Sequence, residues 1–310
     1  MQVYHNAELP QFNNVIITIG TFDGVHLGHK AILDHIHQVA TNEAAQSLII
    51  SFSPHPRTVL QPNAPLQLLS TEEEKIELFK QHAIDYLVLY PFTTQFAAYT
   101  AQQYIEDFII KVFAPKLVVI GYDHHFGKGR TGNYNLLQTY AIKGYFKLQE
   151  IPATSINNSN VSSTKIRNAL LNGNLALANQ LLGYAYNISG TVIQGKQLGR
   201  TIGFKTANIA LNNTLKLVPA VGVYVVQVTV LSHTYTGMMN IGYRPTVQGN
   251  GLTIEVHILQ FDMDIYGAAI TVTMLHRLRD EVKFESTTAL KQQLELDKLA
   301  TIQYKENQEA

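Results

Sequence analysis

The sequence predicts two domains of different class: a doubly wound α/β domain with a parallel sheet over residues 1–185, and an antiparallel β-barrel followed by a C-terminal helix over residues 186–310. Three observations predict it. Continuous apolar runs alternate with helical patterns in the first half, as strands buried on both faces of a parallel sheet require. From about Tyr186 strand-like runs follow one another through turns rich in Gly, Asn and Pro, the pattern of an antiparallel sheet or barrel. A long helical pattern returns only over residues 286–300.

The apolar runs of the first half cover residues 15–19, 48–52, 86–90, 117–120 and 146–151. Helices are predicted between them. Residues 29–40 carry Ile32, Leu33, Ile36 and Val39 at helical spacing. Residues 71–82 begin "STEEEKIELF", where Ser70 or Thr71 caps the helix and Glu73 or Glu74 completes a capping box. Residues 100–113 carry Tyr104, Ile105, Phe108, Ile109 and Val112 on one stripe. The segment 162–183 reads as two short helices split by Asn172-Gly173-Asn174, a connector closing the first domain. Beyond it, "GVYVVQVTV", "YTGMMNIG", "LTIEVHIL" and "AAITVTML" are strands, and the polar tail "YKENQEA" is expected to fray.

Hydrophobic residues make up 46% and charged residues 15%, an ordinary globular composition that excludes disorder. Lys plus Arg and Asp plus Glu both number 23, so no basic field draws in nucleic acid or an anionic membrane. The absence of cysteine rules out disulfides and thiolate metal sites. No signal-peptide pattern and no apolar run of membrane-spanning length is visible, so a soluble cytoplasmic protein is expected.

The chemistry concentrates in "GTFDGVHLGH", residues 20–29, which directly follows the first apolar run. Its two histidines alone allow three readings: metal ligands, phosphate donors, or a polar helix start. The position favours the second. A strand ends, a glycine-bearing turn follows and a helix begins near residues 26–28, which is where open α/β sheets bind ligands and where a helix dipole attracts anions. Gly20 and Gly24 let a phosphate approach the backbone. His26 and His29 are three apart and share a face of the first helical turn. Their spacing is not the i, i+4 of a zinc H-E-x-x-H helix, and no glutamate accompanies them.

The segment resembles the H-x-G-H signature of nucleotidylyltransferases of the cytidylyltransferase-like superfamily, which have a Rossmann-like fold. "SFSPHPRTVL" (51–60), "GYDHHFGKGRTGN" (121–133) and "SSTKIR" (162–167) narrow the resemblance. With "GTFDGVHLGH" they look like the FMN adenylyltransferase module of bacterial bifunctional riboflavin kinase/FAD synthetases. The resemblance implies catalytic roles for His26, His29, Ser163 and Arg167. It implies nucleotide or phosphate contacts at Gly20, Phe22, Asp23, Gly24, His55, Asp123, Arg130, Ser162 and Thr164, and flavin contacts at Phe52 and Phe126.

In the second half "GTVIQGKQLGRTIGFKTANI" (190–209), "LVPAVGVYVV", "MNIGYRPTV", "IEVHIL", "DIYG" and "RLRDEVKFES" follow the order of riboflavin kinase. The resemblance implies that Gly195, Lys196, Gly199, Arg200 and Gly203 hold the nucleotide, and that Thr206 and Asn208 hold phosphate and Mg²⁺. It further implies that Glu255 is the base for the ribityl hydroxyl and that Arg279 and Glu281 line the flavin side. Glu255 makes chemical sense alone, because a carboxylate inside a small barrel is costly unless it has a task. Without the neighbouring motifs it would read as an exposed residue of an edge strand. The family's usual proline before Thr-Ala-Asn is Lys205 here, which removes a φ restraint from the loop and brings an ammonium to it.

The reading that follows is a bifunctional enzyme. The second module phosphorylates riboflavin with ATP to give FMN. The first joins FMN to AMP from ATP, giving FAD and pyrophosphate. ATP is the co-substrate and Mg²⁺, or another hard divalent cation, the cofactor. Riboflavin, FMN, FAD and ATP are the expected ligands, nucleic acid and membrane are not, and a homo-oligomer is left open. The alternatives are an FAD synthetase whose kinase half turns over poorly and a non-catalytic flavin-binding regulator.

Overall fold

Parallel strands form where the apolar runs predict them. The computed structural model describes all residues except 6–8, 157–158, 196–198, 200–201, 247–248 and 310. Within it β1 (Gln2–Tyr4), β2 (Val15–Ile19), β3 (Gln46–Ser53), β4 (Tyr86–Pro91), β5 (Leu117–Gly121) and β6 (Lys147–Ile151) pair in the order β1-β4-β3-β2-β5-β6, all parallel. Both faces are covered. On β2, Val15, Ile17 and Ile19 enter one core cluster and Ile16 the other, following the two-residue alternation of a strand. Each fully buried Ile or Leu contributes roughly 2 kcal/mol. The chain proceeds from β2 to β3 and β4 on one side, then returns to β5 and β6 on the other. The order therefore reverses between β2 and β5, and their carboxyl ends flank the crevice where such sheets bind ligands.

The helices largely follow the periodicity. Leu27–Asn42 buries Leu33, Ile36 and Ala40. Glu72–Lys80 starts at Thr71 with the capping box to Glu74. The predicted helix over 100–113 differs in winding. A capping box at Thr100 and Gln103 opens an α-turn, and Tyr104–Phe113 then widens into a π-helix. Its buried residues Tyr104, Phe108, Ile109 and Phe113 recur at intervals of four to five, so Phe113 replaces Val112 on the buried stripe.

The domain boundary also differs from the expected one. The chain divides into Met1–Ser163 and Thr164–Ala310, so the connector helices Ser163–Leu171 and Leu175–Leu182 belong almost wholly to the second unit. They are tied to it by hydrogen bonds. Asn179 Nδ2 donates to Met274 O (3.0 Å), Tyr186 N to Asn179 Oδ1 (2.8 Å) and Ala220 N to Leu170 O (3.0 Å). Before them, β7 (Ser155–Ile156) and β8 (Ser159–Asn160) form a short antiparallel pair.

The second unit is a closed antiparallel barrel of β9 (Asn187–Ile193), β10 (Ala207–Leu211), β11 (Gly222–Val230), β12 (His233–Thr246), β13 (Gly249–Ile258) and β14 (Ala269–Arg279). Its order is β10-β13-β12-β11-β14-β9, and β9 pairs with β10 to close it, which removes the exposed sheet edges. The final helix, Thr287–Glu309, runs through the tail expected to fray. Tertiary contacts hold it: Arg279 of β14 grips Asp297, Thr301 is fully buried, and the Tyr304 ring stacks on His276 at 5.2 Å. Among the described residues no helix is long and apolar enough to cross a membrane.

Candidate active sites

After β2, Gly20 N donates to Ile50 O (3.0 Å), and the chain enters a turn with φ of +50° at Phe22, +82° at Gly24 and +35° at Val25. For β-branched Val25 this is strained backbone, which persists only where the surroundings fix it. They do. Asp23 Oδ1 accepts from Leu69 N (2.9 Å) and Ser70 N (3.1 Å), Gly24 N donates to Ser70 Oγ (2.9 Å), and Ser163 Oγ donates to Asp23 O (3.0 Å). The Asp23 carboxylate is buried against these backbone N–H groups and holds the turn. Phe22 is also buried, its ring set edge-on to Phe79 (5.6 Å) and His29 (5.1 Å).

The structure bears out the helix-start reading for His26. His26 is the N-cap of Leu27–Asn42, and its Nδ1 accepts from His29 N at 3.3 Å. An accepting Nδ1 carries no proton, so neutral His26 bears its proton on Nε2 and remains a donor there. The His26 and His29 rings stack at 3.6 Å, 14° from parallel. Burial, then the neighbouring His26 and Lys75, hold the His29 pKa well below the usual imidazole range. The site thus offers two imidazoles beside a helix N-terminus, suited to hydrogen-bonding a phosphate oxygen.

The companion motifs lie at the same edge of the sheet. His55 follows β3 and caps the short helix Pro56–Leu60, its Nδ1 accepting from Arg57 N (3.1 Å). Asp123 and Arg130 are exposed on the segment after β5. Phe52 and Phe126, expected to face a flavin, are largely core residues. Phe52 is 9% exposed among Phe92, Phe96 and Phe108, and Phe126 is 5% exposed and stacked on Tyr104 at 4.8 Å. Ser162 and Ser163 end the first unit, while Thr164 and Arg167 begin the second on the helix Ser163–Leu171.

His124, beside Phe126, is half-buried, and its pKa is pushed down to about 4, chiefly by desolvation of the ring, with His125 and Arg130 adding repulsion. Both lowered imidazoles, His29 and His124, are neutral in the fold, whereas the unfolded chain takes up protons at both below about pH 6.5. The unfolded state then binds more protons, so the first unit loses stability as pH falls from about 6.5 toward 4. Thermal melts across that range are expected to show a falling transition, and His124→Phe is expected to flatten the slope.

In the barrel, Glu255 on β13 stands opposite Asn208 on β10 and Asn240 on β12, so three polar side chains form a row across adjacent strands. It is 9% exposed, and Thr206 Oγ1 donates to its Oε2 at 3.5 Å. The reading of an exposed edge residue is excluded, because the barrel has no open edge there. A pocket of about 230 Å³ is lined by Thr206, Asn240, Glu255, His257, Arg279 and Glu281 together with apolar side chains. A second, of about 150 Å³, is lined by Lys205, Thr206, Asp262, Asp264 and Tyr266 among others. Thr206 faces both. The Lys205 ammonium pairs with Asp262. Gly195 passes so close that a Cβ there would lie 2.1 Å from Asn208 Nδ2. Gly203 directly precedes Phe204, whose N donates to Gly199 O (2.8 Å), whereas Lys196 and Arg200 lie outside the described residues.

Arg279 lines the larger pocket, but its guanidinium is largely committed. It grips Asp297 of the last helix in a fork (Nε–Oδ1 2.9 Å, Nη2–Oδ2 2.7 Å), and Nη1 donates to Asp280 O (2.9 Å). It forms a fixed wall of that pocket. Glu281 Oε2 accepts from Tyr243 N at 3.4 Å. Among the described residues no three His, Cys, Asp or Glu side chains cluster as a metal site. The Thr206 hydroxyl and the Asn208 amide are oxygen donors, which suits a hard cation that takes its remaining ligands from phosphates and water.

Two polar residues beside these segments fall outside the sequence expectations. Lys75 was absorbed into a helix start, yet it sits four residues before buried Phe79 on the apolar face, and that spacing is the signal that exposes it. His257 was missed as well. Its Nδ1–H donates to Lys205 O at 2.7 Å, fastening the residue before Thr206 to β13. Burial lowers its pKa, only partly offset by that hydrogen bond.

Comparison with known proteins follows the same division. A model for "FAD synthetase" matches residues 9–165 and one for "Riboflavin kinase" matches residues 182–305. The Bifunctional riboflavin kinase/FMN adenylyltransferase of Escherichia coli strain K12 is 36% identical over 301 residues, covering 97% of this chain and 96% of that protein. The protein of the same description from Listeria monocytogenes is 38% identical over 290 residues, covering 93% and 91%. A crystal structure described as a macrolide-efflux protein from Streptococcus pneumoniae superposes with a TM-score of 0.87 at 31% identity, covering 96% of this chain and 98% of that one. The matched segments include both histidines of the strained turn and the Asn208–Glu255–Asn240 row, and the chain belongs to the bifunctional riboflavin kinase/FMN adenylyltransferase family.

Proposed function

We propose that this chain makes FAD from riboflavin in two steps, each in its own unit. In the barrel, the 5′-hydroxyl of riboflavin takes the γ-phosphoryl group of ATP, giving FMN and ADP. Glu255 accepts the hydroxyl proton, and Thr206 holds the carboxylate in place. Thr206 and Asn208 would hold Mg²⁺, which supplies charge neutralisation at the transferred phosphate. Pairing with Asp262 keeps the Lys205 ammonium beside the smaller pocket, where nucleotide phosphates would meet it.

In the first unit the phosphate of FMN attacks the α-phosphate of ATP, forming the phosphoanhydride of FAD and releasing pyrophosphate. The nucleophile is already anionic, so this step needs positioning and charge stabilisation, and no protein base. His26 and His29 are donors to the α-phosphate, with the backbone N–H groups of the turn beside them. Ser163, at the end of this unit, acts on the same phosphates, and its flavin recognition draws on the surroundings of Phe52 and Phe126, whereas Arg279 and Glu281 line the flavin side of the barrel pocket.

The observation that carries the kinase reading is the buried Glu255 set between two asparagines at the wall of a pocket. The test is to supply riboflavin, ATP and Mg²⁺ and separate the flavins. FMN followed by FAD is expected. FAD formed from supplied FMN, but no FMN from riboflavin, would leave only the synthetase half standing.

A further inference from the structure

Beneath the strained turn lies a lysine that no catalytic step uses. Lys75 belongs to the helix Glu72–Lys80, yet it is only 8% exposed. Its Nζ donates to Ser51 Oγ (2.9 Å), at the carboxyl end of β3, and to Thr21 O (3.4 Å), in the turn that follows β2. Ser51 Oγ in turn donates to Thr21 O (3.2 Å). One ammonium therefore ties together two adjacent strand ends and a helix, immediately ahead of Phe22, Gly24 and Val25.

The groups facing it make a purely structural role a poor account. Both hydrogen-bond acceptors are neutral. Two carboxylates stand near it, each hydrogen-bonded or paired to other groups as well: Asp23 with Leu69 N and Ser70 N, Glu72 with Ser53 Oγ and with His5 Nδ1 (3.3 Å). Across from it stands His29, whose neutral state the ammonium favours, and His26 stacks on His29. Burying the ammonium is unfavourable for folding, and the Asp23 and Glu72 carboxylates offset that cost only in part. A buried charge directly behind an anion site, by contrast, attracts the anion through low-dielectric surroundings, where its field is little screened.

We propose that Lys75 is a positioning residue for adenylyl transfer: it locks the Thr21 carbonyl and Ser51 hydroxyl so that the turn and the stacked His26/His29 pair present one geometry to the nucleotide phosphates. The proposal rests on the adenylyltransferase reading of the first unit. Burial, opposed by Asp23 and Glu72, brings the Lys75 pKa down to about 8. The ammonium is present at neutral pH and is lost just above it.

The test uses the full chain and follows FAD formation from supplied FMN and ATP, with FMN formation from riboflavin as the internal control. Lys75→Met is expected to lower kcat for FAD synthesis about 100-fold, with a smaller change in the KM for ATP and FMN synthesis unaltered. Wild-type FAD synthesis is expected to decline above about pH 8, with the decline absent in Lys75→Arg, which retains partial activity and does not titrate. Wild-type kcat in Lys75→Met, or an unchanged alkaline decline in Lys75→Arg, would overturn the proposal. If Lys75→Met fails to fold, Ser51→Ala decides, because it keeps the ammonium and removes one acceptor. A several-fold fall in kcat with an intact melting transition supports the proposal, and no change overturns it. A wild-type chain that makes no FAD from FMN would instead refute the underlying adenylyltransferase reading.

Discussion

Glu255→Gln is expected to lower FMN synthesis by about 10²–10³-fold while leaving FAD synthesis from supplied FMN unchanged. The amide keeps the size of the side chain and can still accept from Thr206 Oγ1, so the row from Asn208 to Asn240 stays filled. What is lost is the ability to take a proton from an alcohol. The estimate sits in the lower part of the general-base range because phosphoryl transfer passes through a loose transition state in which the attacking hydroxyl has gained little charge. The loss is therefore expected in kcat, with the KM for riboflavin little altered, because pocket walls such as Arg279 are fixed by Asp297 and not by Glu255. Steady-state rates of FMN and FAD formation, measured separately on the same preparation, check this. Full FMN synthesis in the variant would remove Glu255 from the chemistry.

The parallel sheet was legible because β2 to β5 are buried on both faces and so appear as unbroken apolar runs. β1 carried no such signal. It is three residues at the sheet edge, placed by pairing with β4 and by packing of Tyr4 on Phe12. The π-winding of Tyr104–Phe113 was hidden because Ile105, Phe108 and Ile109 fit a helical stripe at either winding, and only the choice between Val112 and Phe113 separates them. The final helix outran its amphipathic pattern because it is anchored by single residues, Asp297, Thr301 and Tyr304, and not by a continuous apolar face.

The candidate sites were legible as segments and less so as side chains. The turn after β2 was recognisable from its glycines and histidines, but its polar members divide by direction. The histidines lie at the helix start, whereas Asp23 points inward to the backbone of Leu69 and Ser70, forty-six and forty-seven residues away along the chain. No local pattern announces a partner at that distance. The same holds for Asp297 under Arg279 and for Lys75 under Thr21, both of which read locally as solvated charges on helices. Buried polar groups whose partners are set by tertiary structure are where a single sequence says least.

His29→Ala is expected to abolish practical FAD synthesis, lowering kcat by about 10²–10³-fold, and to spare FMN synthesis, so that riboflavin-fed enzyme accumulates FMN. His29 is the cleaner of the two histidines to remove. His26 caps the first helix through its Nδ1, so deleting it removes a donor and also costs about 1 kcal/mol of helix stability. The cap accepts from the backbone N–H of His29, which alanine retains, so the helix start survives in His29→Ala. Being neutral near pH 7, His29 acts through its N–H as a hydrogen-bond donor and not through a full charge, and the attraction it adds grows as charge builds on the α-phosphate. The effect should therefore appear in kcat more than in the KM for ATP. Above pH 6.5 the variant's residual activity should keep the wild-type pH dependence, because His29 does not titrate there. Wild-type rates of FAD formation in His29→Ala would exclude it as a donor, and equal loss of both activities would show its role to be structural.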